Sequence, residues 1–171
     1  MNAHRLIAVM GVAAMLSACG GHDAATMSDY AQDLGRHLDA LEGEQVAHFS
    51  EISAMAHVDV LGPAELGHSQ RMDDGIERMN GPLGAMMSCV DGRRTGFDAA
   101  GFAAMMQDLR SECDEHGVLM LSAHEMDSAS TEESRHYHEV GTQIGKMRRM
   151  LSPMMGTESS YSCAPCPSCG M

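Results

Sequence analysis

The chain has 171 residues and 44% hydrophobic content, room for one compact domain of modest size. A formal net charge of −13 excludes a nucleic-acid backbone or an anionic lipid surface as electrostatic partners. Aromatic residues are scarce (three Phe, three Tyr, no Trp) while Met numbers 18, so a core must be built from Leu, Ile, Val, Met and Ala.

The first segment is a targeting signal. Met1–Ala18 has a short basic start at Arg5, an apolar run from Leu6 to Leu16 and small residues before Cys19. That run is too short for a permanent membrane span and reads as cleaved. Leu16-Ser17-Ala18-Cys19 resembles the lipobox of bacterial lipoproteins. The resemblance covers residues 1–19 and implies cleavage and acylation at Cys19, leaving the protein lipid-anchored in the bacterial cell envelope. Gly20 after that Cys, rather than Asp, is compatible with sorting to the outer membrane. The plainer alternative is a secretory signal with a chance Cys. Residues 19–27 then form the lipidated Cys and a short tether.

From there the spacing predicts four helices. The first runs from an N-cap at Ser28 toward His57 or Leu61, with Leu34, Leu38, Leu41, His48, Ile52 and Met55 on one stripe. Asp59–Pro63 is a turn, and Pro63 suits the first turn of the next helix. The second helix carries Glu65, His68, Met72, Ile76, Met79, Leu83 and Met86, and Asn80-Gly81-Pro82 should kink or fray its end. Residues 88–96 read as a connection. The third helix, from about Asp98 to Met126, bears Phe102, Met106, Leu109, Cys113, His116, Met120 and Ala123. A fourth starts within Ser128–Thr131 and bears Glu133, His136, Val140, Ile144, Met147, Leu151 and Met154.

The second and fourth stripes are copies. Sliding the chain by 68 positions aligns Glu65 with Glu133, His68 with His136, Ile76 with Ile144, Met79 with Met147 and Leu83 with Leu151. The same offset aligns Leu41 with Leu109, Glu44 with Glu112 and His48 with His116. Two copies of one helical hairpin, about 28–88 and 98–156, predict an all-α up-down-up-down four-helix bundle spanning 28–156.

Polar residues on these seams are the candidate chemistry. Glu65 and His68, and likewise Glu133 and His136, stand at i and i+3 where burial is expected. Two Glu-x-x-His motifs from two helices resemble those of ferritin-like di-iron bundles, in which further Glu ligands come from the other two helices. At those places this chain has His48 and His116, a departure from the di-iron pattern. Counting residues to the expected turns puts His116 about one helical turn away in height from His136. His124 is nearer that level, with His57 as its counterpart in the first copy. Alternatively, Glu65 and Glu133 serve first-turn amides, and the His are their hydrogen-bonded partners. Cys113, His116, Met120 and His124 share one face of the third helix, a thiol, imidazole and thioether set that suits copper, though Met120 reads better as core.

Residues 157–171 form a tail without periodicity. Cys163, Cys166 and Cys169, each three apart, can wrap a soft ion such as Cu(I) or Zn(II), or pair as a Cys163–Cys166 disulfide. Neither a phosphate loop nor a nucleotide fingerprint is present, so no nucleotide or organic cofactor is expected. The sequence points to an envelope lipoprotein that buffers or delivers a transition metal, copper ahead of iron or zinc, with a metal-handling partner in the envelope. A di-metal redox enzyme of ferritin-like type, and a structural or adaptor bundle, are the alternatives; a binding protein is favoured over an enzyme.

Overall fold

A computed structural model describes residues 25–88 and 96–155. They form helices α1 (Met27–Ala54), α2 (Leu61–Arg78), α3 (Asn80–Ser88), α4 (Ala99–Leu121) and α5 (Met126–Met155), with a single 3-10 turn at Val58–Val60. The fold is an all-α four-helix bundle, as the spacing predicts, with α3 continuing the rod begun by α2. Each of α1 and α4 packs against both α2 and α5. None of the described helices is long and apolar enough to cross a membrane.

Helix boundaries follow local chemistry. Thr26, rather than Ser28, caps α1: its hydroxyl accepts from the Asp29 amide at 3.2 Å, and the Asp29 carboxylate accepts from the Thr26 amide at 2.7 Å. This reciprocal pair satisfies two otherwise unpaired amides. Asp98 caps α4 by accepting from Gly101 N at 2.8 Å. The rod α2–α3 breaks at Met79, whose amide reaches Ile76 O at 3.1 Å. Pro82 explains the break, since it has no amide for the Arg78 carbonyl and its ring crowds that oxygen.

Both connections arrive earlier than the sequence indicates. α1 stops at Ala54 instead of His57 or Leu61, and α4 stops at Leu121 instead of Met126. Correspondingly α5 starts at Met126, before the expected Ser128–Thr131. His57 and His124 therefore lie in connections and are exposed.

Apolar side chains form two clusters. The larger contains Leu34, Leu38, Leu41, Met72, Ile76, Phe102, Leu109, Ile144 and Leu151 among others. The smaller, beside the two connections, contains Ile52, Leu61, Met120 and Ala129. On each of α1, α2, α4 and α5 one buried His stands between a residue of one cluster and a residue of the other: His48, His68, His116 and His136. The bundle thus carries a polar layer sealed above and below by hydrocarbon.

Ion pairs tie the copies together outside. Arg110 of α4 reaches Asp73 at 2.6 Å and Glu77 at 3.3 Å on α2. Arg148 of α5 reaches Asp39 at 2.6 Å and Glu42 at 2.7 Å on α1. Such part-exposed pairs contribute about 0–1 kcal/mol each. Apolar burial holds the bundle, and the pairs set which faces meet.

Candidate metal centre

The layer holds four imidazoles and two carboxylates, one His per helix plus Glu65 from α2 and Glu133 from α5; each is at most 1% exposed. The Glu-x-x-His spacing puts Glu and His of α2, and of α5, on one inward face. His48 stacks on His68, centroids 3.9 Å apart, and His116 stacks on His136 at 3.8 Å. The two stacks meet edge to face: His48 and His116 lie 6.0 Å apart at 88°. The offset of 68 in sequence has become an approximate two-fold relation in space.

The Glu carboxylates lie between the stacks. His48 Nε2 donates to Glu65 Oε2 at 3.2 Å. His116 Nε2 lies 3.4 Å from Glu65 Oε2 and 3.2 Å from Glu133 Oε2, and His48 Nε2 lies 3.5 Å from Glu133 Oε2. Although at ion-pair distance, His116 Nε2 and Glu133 Oε2 are out of line for a hydrogen bond, and neither has another. Ligand atoms of His48, His116 and Glu133 fall within 4.8 Å of one another and could hold a metal ion.

Outer carboxylates fix the rings. His68 Nδ1 donates to Glu44 at 3.1 Å, His136 Nδ1 to Glu112 at 3.2 Å, and His116 Nδ1 to Glu132 at 3.2 Å. Arg71 pairs with Glu44 at 2.8 Å; Arg135 pairs with Glu112 at 3.0 Å and Glu132 at 2.7 Å. A proton fixed on Nδ1 leaves the Nε2 lone pair of a neutral ring free, the usual arrangement around metal-ligating His. For His68 and His136 that Nε2 is buried without a hydrogen-bond partner.

Titration follows from the same contacts. Burial, reinforced by His48, lowers His68 to about 4. Burial, with His116 and His68 nearby, lowers His136 to about 2. Burial also works against a charge on His116, but Glu133 and Glu65 outweigh it and lift the ring to about 10. Glu65 is buried too, yet His116 and His48 hold its carboxyl well below the usual range. His68 and His136 are thus neutral at pH 7 and His116 is an imidazolium.

The other sequence candidates are elsewhere. His57 and His124 are exposed and outside the layer, because the helices end before them. Met120 packs in the smaller apolar cluster, and Cys113 in the larger one, where burial pushes its free thiol up to about 12. Cys19, Cys163, Cys166 and Cys169 lie outside the described residues. The outer residues Glu44, Glu112 and Glu132, and Gln45, which donates through Nε2 to Glu133 at 3.2 Å, have no place among the sequence-level candidates. The matched pair Glu44/Glu112 was their one visible signal.

No family model, curated protein or solved structure matches the chain.

Proposed function

We propose that the protein is a lipid-anchored envelope protein that binds transition-metal ions in the His/Glu layer, for buffering or delivery. One observation carries the reading. Four inward imidazoles, three of them fixed at Nδ1 by outer carboxylates, surround two buried carboxylates. His68 and His136 are neutral, and the His116 imidazolium lies between the carboxylates of Glu65 and Glu133. Uncompensated buried charge is costly, and a divalent cation would offset it.

The residues fit a borderline divalent ion. Imidazole and carboxylate suit copper(II), iron and zinc, and affinity of nitrogen and oxygen sites for divalent ions peaks at copper. Among the described residues no thiol or thioether belongs to the layer, so a soft Cu(I) ion would find its ligands in Cys163, Cys166 and Cys169. His48, His68, His116 and His136 would hold the ions, with Glu65 and Glu133 between the stacks. The apolar clusters exclude water, and the outer carboxylates orient the rings. A bound ion would supply Lewis acidity or one-electron chemistry. The approximate two-fold relation, with one stacked His pair and one Glu per copy, favours a second reading in which two ions sit together as a redox centre.

The test is metal content of the chain with Cys19→Ser, loaded anaerobically with copper, iron and zinc in competition. A form ending at Ser160 and a His68→Gln/His136→Gln form would run beside it, with folding checked by circular dichroism. The bundle reading expects copper retained in the shortened form and lost in the double variant. Two ions per chain with oxygen-dependent turnover would favour the redox reading. Metal held only by the tail, or by nothing, would leave the His/Glu layer a structural network.

A further inference from the structure

The layer is sealed by hydrocarbon at both ends, so an ion must reach it from the side. A cleft of about 240 Å³ opens between α1 and α5. Glu42, His138, Gly141 and Thr142 form its exposed rim, and Gln45, Val140 and Ile144 its buried floor. Gln45 is the one polar group of that floor and is 2% exposed. Its Nε2 donates to Glu133 Oε1 at 3.2 Å, and its own Oε1 is buried without a hydrogen-bond partner. A single side chain therefore separates the cleft from a carboxylate of the layer.

The copies differ at this point. Cys113 of α4 occupies the position equivalent to Gln45 and packs among the apolar residues of the larger core. A polar hand-over group is thus present on the α1–α5 side and replaced by a thiol in the core on the other. The rim brings a carboxylate, Glu42, which also pairs with Arg148 at 2.7 Å, and the exposed imidazole of His138.

We propose that the α1–α5 cleft is the route by which a divalent metal ion reaches the buried layer, with Gln45 handing the ion from the rim to Glu133. The proposal rests on the metal-binding reading above. An arriving ion would meet Glu42 and His138 at the rim and exchange a bound water for the free Gln45 Oε1. Rotation of the amide releases its bond to Glu133, whose carboxylate then accepts the ion.

Uptake kinetics test this, with Cu(II) supplied as a weak complex to the Cys19→Ser chain and its visible absorption followed by stopped flow. Gly141→Phe is the deciding variant: Gly141 lines the cleft, is exposed, and an added Cβ meets nothing within 4 Å, so a bulky ring is accommodated there and narrows the entrance. The route predicts uptake slowed about tenfold with final copper content unchanged. Gln45→Leu removes the hand-over oxygen and slows uptake similarly. Gly84→Phe places the same bulk on the exposed face of α3, away from the layer, where an added Cβ meets nothing within 4 Å, and leaves the rate as it was. Wild-type uptake rates in Gly141→Phe, or equal slowing in Gly84→Phe, overturn the route while leaving metal binding intact. Absence of copper from the unaltered chain would instead remove the reading on which the route rests.

Discussion

His48 and His116 stand at equivalent places in the two copies, yet their outer nitrogens are treated differently. His116 Nδ1 donates to Glu132 at 3.2 Å, whereas His48 Nδ1 is buried without a partner. The cause is one substitution between copies: Ala64 occupies the place equivalent to Glu132. Without an acceptor on Nδ1, His48 keeps its proton on Nε2, where it donates to Glu65. An ion would have to displace that proton before using this nitrogen. Ala64→Glu should supply the missing acceptor, move the proton to Nδ1 and tighten Cu(II) binding about tenfold. Glu112→Gln, which weakens the anchor on His136, should loosen it about 10–100-fold. Competition titration against a chelator of known affinity measures both. Equal affinities in all three proteins would mean that packing alone orients the rings.

At the level of helices, apolar stripes carry the fold. Leu38 and Leu109, fully buried in the larger cluster, should each cost about 2–5 kcal/mol when changed to Ala. Leu66→Ser and Val118→Ser, at positions 69% exposed, should stay within about 0.5 kcal/mol; urea titration of all four variants measures both classes. The stripes were readable from sequence because burial imposes their three-and-four spacing. Helix ends were not, because residues 55–60 and 122–125 include good helix formers such as Ala56, Met55 and Glu125, and tertiary packing of Ile52, Leu61, Met120 and Ala129 decides where the chain turns. That error shifts the expected level of His116, and so brings in His124 and His57 beside His48 and His116, where the packed bundle stacks His116 on His136. Glu44 and Glu112 reach rings 24 residues away on the neighbouring helix, a relation that no spacing within one helix displays. Their match at the offset of 68 was visible; its meaning needed the packed bundle.

For the molecule as a whole, the layer ties protonation to stability, and a bound ion would join that coupling. In metal-free protein the unfolded His68 and His136 bind protons near pH 6.5, while their folded forms do so only at about 4 and about 2. Between these values the unfolded state holds more protons, so folding weakens as pH falls below about 6.5. His116 has the opposite sign. Its folded form keeps the proton to about pH 10, so its contribution is complete below about 6.5 and is lost as pH rises toward 10. The metal-free protein should therefore be most stable near neutrality, with both an acid and an alkaline decline. The alkaline decline has a definite origin, since deprotonating His116 removes a positive charge held beside Glu65 and Glu133. A bound divalent ion supplies that charge independently of the proton and displaces it on binding. Thermal unfolding near pH 5, 6.5 and 9.5, with chelator and with Cu(II), should show the alkaline decline flattened by copper and the acid decline steepened as protons compete for the ligands. An alkaline decline of equal depth with and without copper would mean that the ion does not take over the charge of His116, and would place its binding outside the layer.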